Sequence, residues 1–307
     1  MNNKNSDKKE AVFITGATLG LGRLTAKKLI NLGHKVIISG RSEKKINDAY
    51  NFILADSPQN KGNLYSVVLD LIDLKSVKTA VEKVESLGFD IDVLVNNAGG
   101  TRTEFKQTNE GIEDTIFMNA VGPLYLTKLM IPLIEKSQHP NKRILFVGSS
   151  IHDPNSKGGG NNQATKISHD VDIETVFEDK EHWNSMKYYK LSKLASIWDA
   201  YLVKDKYPHL TTIVFCPGFV PTTDLIRNSS YMVRLTLKYA ISKFNFTTSE
   251  DDSTDDYIYY ITTSGTNLKS GGYYEKRQLS KPSDDALNRV KQQQFWDLAM
   301  RSIDQLT

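Results

Sequence analysis

The stretch AVFITGATLGLGRLTAKKLI, residues 11–30, changes its period halfway along. AVFIT, residues 11–15, is a run of β-branched and apolar residues suited to a buried strand. From Gly20 onward the apolar residues recur at helical spacing to about residue 32, where Gly33 can end the helix. Between the two lies TGATLGLG, with glycines at 16, 20 and 22. Gly16 permits a tight turn, Gly20 lets the backbone approach a pyrophosphate, and Gly22 lets the helix pack closely on the sheet. The helix N-terminus then turns free N–H groups and the positive end of its dipole toward the phosphates.

The same alternation continues outward. KVIIS (35–39), a helix near 43–55, LYSVVLD (64–70), a helix over 73–87, DVLVN (92–96), a long helix from about 109 to 136 and RILFVG (143–148) follow in order. A helix from about 186 to 206 and the strand TTIVFC come after an interruption. Beyond them lie a helix near 250–263, a last strand at GGYY and a closing helix over 284–304. Short apolar strands alternating with helices predict a doubly wound α/β Rossmann fold, a central parallel sheet flanked by helices. The expected organisation is a polar tail over residues 1–10 and a single domain over 11–307, with an insertion at 151–187 and a substrate lid at about 221–250.

Composition narrows the function. The chain has 307 residues, 39% hydrophobic and 24% charged, with a formal net charge of +3. Its charges are interspersed, which gives no extended basic face for nucleic acid and makes a small molecule the expected partner. Cys216, the single cysteine, lies in an apolar run and reads as a core residue, so neither a disulfide within the chain nor a thiolate metal site is expected. The polar N-terminus lacks a signal-peptide pattern, and no apolar run approaches the roughly 20 residues of a spanning helix. The expectation is a cytoplasmic protein that binds no metal.

Two further stretches bear on chemistry. The second strand ends ISGRSE, so Gly40 stands where an NAD-binding chain carries Asp or Glu, and Arg41 offers a planar fork of donors suited to a 2′-phosphate. NADP(H) is therefore expected in preference to NAD(H). MKYYKLSKLA, residues 186–195, places Tyr189 and Lys193 four apart, on one face of a helix. A phenol titrates near 10, and an ammonium one turn away favours the phenolate. Tyr188 fails this spacing, because its fourth neighbour onward is Ser192.

TGATLGLG, LD (69–70), NNAG (96–99), MNAVG (118–122), VGSS (147–150), YYKLSK and CPGFVPT occur in the order of the short-chain dehydrogenases/reductases, which this chain resembles over about residues 10–225. TNEGIEDTIFMNAVGPLYLT and the closing GGYYEKRQLSKPSDDALN are most similar to the branch of retinol dehydrogenases and protochlorophyllide reductases. The resemblance implies hydride transfer between nicotinamide and a carbonyl or alcohol. Tyr189 would act as acid/base, Ser150 would orient the oxygen (with Ser149 as runner-up), Lys193 would tune the tyrosine and bind the ribose, and Asn119 would hold a water in the proton path. Thr15, Gly16, Gly20, Leu21 and Gly22 would line the phosphate turn. Asp70 and Leu71 would meet the adenine, and Asn97, Ala98 and Gly99 the ribose. Pro217, Gly218, Val220 and Thr222 would close over the carboxamide and pyrophosphate.

A hydrophobic aldehyde or ketone is the expected substrate class. An NADPH-dependent C=C reductase and a non-catalytic NADPH-binding regulator are the alternatives. The family also implies homo-oligomers, built on helices like those at 109–136 and 186–206.

Residues 151–187 depart from the family's usual short loop. His152, His169, His182 and Trp183 fall there, and one histidine serving as a second acid is the bold reading, exposed loop histidines the plain one. The segment 229–244 mixes apolar residues with Arg234, Lys238 and Lys243, which suits a lid helix and also a membrane surface.

Overall fold

The computed structural model describes residues 9–160, 162–221 and 247–304. Thr222, the 229–244 segment and most of the expected lid lie outside the described residues. Eight strands form one sheet in the order β3-β2-β1-β4-β5-β6-β7-β8. These are β1 (Ala11–Ile14), β2 (Lys35–Gly40), β3 (Leu64–Val68), β4 (Val93–Asn96), β5 (Arg143–Val147), β6 (Thr211–Cys216), β7 (Tyr273–Glu275) and β8 (Gln278–Ser280). All neighbours pair parallel except β7 and β8. The strand order reverses between β3-β2-β1 and β4-β5-β6, and ligands of such sheets bind at the strand C-termini beside that reversal.

One face of the sheet is covered by α1 (Gly20–Asn31), α2 (Glu43–Leu54) and α6 (Glu250–Thr262), the other by α3 (Leu74–Glu85), α4 (Asp114–Lys136), α5 (Ser185–Lys206) and α7 (Arg289–Asp304). Strands such as β1, β4 and β5 are buried along their whole length, as a parallel sheet with both faces covered requires.

Three sequence expectations change. The helix expected from about residue 109 begins at Asp114, because Glu113 accepts the N–H groups of Thr115 and Ile116 and so caps it there. This α4 is itself apolar enough to span a membrane by composition, contrary to the expectation of no such run. It is a core helix, with residues 114 to 127 buried. The insertion, expected to be too polar for the core, places Ile167, Ile173 and Phe177 in it, Phe177 meeting Phe295 of α7 edge-on at 5.7 Å.

Strand β8 was missed, since its hairpin turn is Lys276-Arg277, with positive φ at both residues (49° and 63°), where sequence reasoning looks for Asn-Gly. The Arg277 amide donates to the Tyr260 hydroxyl (2.8 Å) and its Nε to Asp256 (2.6 Å), which offsets the unfavourable backbone.

Arg143 fixes α6 to the sheet. Its fully buried guanidinium donates through two nitrogens to the carbonyls of Tyr260 and Thr263, both at 2.7 Å, at the C-terminus of α6. Burial holds it down to about 10, still charged at neutral pH, and the negative end of the helix dipole favours that charge. Arg143→Met leaves the carbonyls unpaired, so thermal or urea unfolding should show a loss of about 2 kcal/mol or more. An unchanged unfolding curve would contradict this role.

Candidate active site

The turn between β1 and α1 is held from both sides. Thr15 Oγ1 accepts the amides of Asn97 (3.0 Å) and Ala98 (2.9 Å), while Asn97 Nδ2 donates to the Thr15 carbonyl at 2.7 Å. Asn97 Oδ1 in turn accepts the Tyr257 hydroxyl from α6 at 2.8 Å. Thr15 and Asn97 are thus spent on joining the ends of β1 and β4, and their side chains set the shape of the cleft. Gly16, at φ 65°, leaves no room for a Cβ, which would lie 2.8 Å from Ala98 Cα. A Cβ on Gly22 would lie 2.5 Å from Asn97 Nδ2.

The cradle fits a pyrophosphate. Gly20 (φ 56°) has open space around its absent side chain, and α1 begins after Leu19 with no side-chain cap and no acid in its first turn. Leu21 is half-buried beside it. At the end of β2, Gly40 carries no side chain, so no carboxylate stands there, and Thr18 Cγ2 lies 2.5 Å from where its Cβ would be. Arg41 follows, exposed.

At the end of β3, Asp70 Oδ1 accepts the Ile72 amide at 3.3 Å. The Leu71 side chain is buried, and its carbonyl lies 2.0 Å from where a Cβ on Gly122 would be. Leu71 therefore packs against α4, and backbone is what it can offer a ligand. After β6, Pro217 is half-buried, Gly218 (φ 81°) and Phe219 are exposed, and Val220 is buried.

The groups expected to react come from α5 and the end of β5. Asn184 caps α5 by accepting the amides of Met186 (2.9 Å) and Lys187 (3.1 Å), and the helix is buried on nearly every side from Tyr188 to Ala200. Tyr189 is 6% exposed, and Lys193 Nζ stands 5.8 Å from its ring centroid. Lys193 Nζ also donates to the Val147 carbonyl at 2.9 Å.

Burial, the largest influence, pushes the Tyr189 phenol well above its ordinary range and holds Lys193 down to about 8. The expected lowering of the phenol by Lys193 is not met, because desolvation of the phenol dominates and the ammonium faces the Val147 carbonyl. Tyr188, the rival, anchors the insertion by donating to the carbonyls of Val176 and Asp179.

Ser150 opens a short 3-10 turn, Ser150–His152, that packs on α5, and Cys216 lies near Ser150, Tyr189 and Lys193. Ser150 is exposed and Ser149 half-buried. Sequence reasoning read Cys216 as simple core, yet it sits among these groups. The "CPG" run following a strand is the signal that places it there.

Asn119 lies in a π turn, Phe117–Val121, a feature often found at functional positions. Its Nδ2 donates to the Gly100 carbonyl (2.9 Å) and Ser192 Oγ (2.8 Å), while Oδ1 accepts the Gly100 amide (3.0 Å). It ties the loop after β4 to α5. A Cβ on Gly99 would stand 3.2 Å from Asn119 Oδ1 and 3.6 Å from Lys193 Nζ, so Gly99 keeps that approach open.

The insertion borders the site. Lys190, the residue after Tyr189, is buried and donates to the Gly160 carbonyl at 2.8 Å, and Gly159 rests on Met186. Its histidines do not converge on Tyr189. His169 pairs with Asp285 (2.7 Å), His182 with Asp179 (3.1 Å), and His152 is buried with both ring nitrogens bonded within the protein. No cluster fit for a metal ion occurs among the described residues.

The protochlorophyllide reductase of Cucumis sativus is 28% identical over 98% of this chain and 79% of its own length. The polyprenol dehydrogenase of Homo sapiens is 27% identical over 92% and 82% respectively. Among solved structures, an NADPH-bound carbonyl reductase from chicken fatty liver superposes with a TM-score of 0.64 at 18% identity, covering 90% of this chain and 99% of that one. The family model described as short chain dehydrogenase matches residues 10–170, more than half of the chain. With its sheet order, glycine turn and buried Tyr189 and Lys193, this chain belongs to the short-chain dehydrogenase family of oxidoreductases.

Proposed function

We propose that the protein is an NADP(H)-dependent carbonyl reductase or alcohol dehydrogenase acting on a hydrophobic substrate. The observation that carries this reading is the Tyr189–Lys193 pair, buried on one helix beside the Ser150 turn at the strand C-termini. NADPH would supply a hydride to the carbonyl carbon. Tyr189 would give its proton to the oxygen as charge develops there, and Ser150 would donate a hydrogen bond that fixes the oxygen's position. A phenol held protonated by burial suits the reductive direction, because the acid must carry its proton when the substrate arrives.

Lys193 would turn from the Val147 carbonyl toward the ribose hydroxyls and, once there, favour the phenolate left after proton transfer. Asn119 would hold the loop carrying Gly99 and Gly100 against α5.

NADP(H) is supported by the absence of a carboxylate at Gly40 and by Arg41 next to it. A hydrophobic substrate is supported by the half-buried Ile151 and Met186 and the 41% exposed Phe219, which flank the site. The names of the polyprenol and protochlorophyllide relatives point the same way. The protochlorophyllide relative also favours a second reading, reduction of a C=C bond with Tyr189 as proton donor. Aldehydes, ketones and activated alkenes should therefore be assayed side by side.

Tyr189→Phe should lower turnover by about 100-fold or more while NADPH still binds. Retained turnover in that variant would refute the assignment. Arg41→Ala should raise KM for NADPH by about 10- to 100-fold and leave NADH nearly unaffected, the loss of one charge-assisted phosphate contact. Equal effects on the two cofactors would reassign Arg41.

Lys193 is charged below about 8 and loses its proton above it. The free-enzyme profile of kcat/KM for reduction should accordingly hold at lower pH and fall as pH rises through about 8. A flat profile between about pH 6 and 10 would contradict that dependence.

A further inference from the structure

We infer that His152 is a positioning residue that fixes the Ser150 turn relative to the catalytic helix. This rests on the role proposed for Ser150. His152 is 2% exposed, and its ring packs against Tyr273 with centroids 5.2 Å apart. Nε2 accepts the amide of Ser283 at 3.1 Å, so it carries no proton. The hydrogen therefore sits on Nδ1, which donates to the Ser149 carbonyl at 2.7 Å. The His152 amide donates to the same carbonyl at 3.2 Å.

One neutral ring in one tautomer thus bridges the peptide just before Ser150 and the segment that begins at Ser283. Burial favours this neutral form, against the nearby carboxylates of Asp153, Glu275 and Asp285, which favour the charged one. An imidazolium would present N–H to N–H at Ser283.

The far end of the bridge is itself anchored to α5. Trp198 Nε1 donates to the Asp285 carbonyl at 3.0 Å, and the Ala286 amide donates to Ser283 Oγ at 3.2 Å and to its carbonyl at 3.1 Å. Trp198 is on α5, nine residues after Tyr189. The path from Ser150 through His152, Ser283 and Asp285 to Trp198 therefore refers the serine to the helix that bears Tyr189 and Lys193. The alignment of the three groups then does not depend on the sheet alone. A displacement of about 1 Å in such an alignment is costly to rate.

The test compares wild type with His152→Ala, Ser150→Ala and the double variant. It measures backbone amide exchange over residues 149–153, NADPH affinity, and kcat and KM for a carbonyl substrate. In His152→Ala, exchange in the turn should speed up about tenfold or more while α5 stays protected. NADPH affinity should hold within about twofold, and kcat should fall about tenfold. Against Ser150→Ala, the added His152→Ala should cost nothing further, because the serine it positions is gone.

Unchanged exchange, or kcat losses that multiply in the double variant, would overturn the inference. His152→Asn keeps a donor near Ser149, and its shorter side chain places no acceptor where Nε2 meets the Ser283 amide. It should lie between wild type and alanine in both exchange and kcat, and it carries the comparison if the alanine variant fails to fold. A wild type that turns over no carbonyl would refute the proposed function, and the exchange data would still decide whether His152 holds the turn.

Discussion

The cross-link between the ends of β1 and β4 is the constraint on which the rest of the cleft depends. Thr15 Oγ1 receives two successive amides from the neighbouring strand end, and Asn97 returns a bond to the Thr15 carbonyl while its oxygen takes the Tyr257 hydroxyl. These bonds satisfy backbone groups that a strand end would otherwise expose. They also draw the glycine turn so close to Ala98 that only a residue without Cβ fits at position 16. The cradle for phosphate is thus a by-product of how two strand ends are tied, and α6, held by Arg143, is the third party to the knot.

The buried Tyr189–Lys193 pair obeys a different balance. Helix α5 carries Tyr189 and Lys193 into a site dry enough that burial controls both, pushing the phenol up and the ammonium down. Both shifts favour the uncharged form, as desolvation does for any titrating group. The Val147 carbonyl holds the lysine in a defined place. The same dryness that raises the phenol would strengthen any interaction with charge that develops beside it.

Much of this was legible in the sequence, for physical reasons that differ from place to place. The strands of the parallel sheet announce themselves because both faces are covered, which demands continuous apolar runs such as VFI and ILFV. The Tyr189 to Lys193 spacing singled out the pair, whereas Tyr188, with Ser192 four residues on, lacks it and instead anchors the insertion. What sequence could not show were effects set by distant partners. Glu113 ends the preceding loop through a cap shared with Trp183, 70 residues on. Lys276 and Arg277 adopt a turn conformation their own chemistry disfavours, compensated by Asp256 and Tyr260. The direction of the Tyr189 shift depends on how deeply the phenol itself is buried, and spacing does not carry that.

Helix α5 is enclosed by its own chain. Insertion residues Ile167, Ile173 and Phe177 join α7's Phe295 in the same core as Tyr188, Leu191, Leu194 and Trp198. Along α5 only its last two residues, Asp205 and Lys206, are exposed. Helices of this position are the ones from which family resemblance leads one to expect subunit pairing, and pairing is driven by apolar surface left uncovered. Here much of that surface is covered from within the chain, so burial of the Tyr189 helix is supplied by the chain's own insertion and by α7.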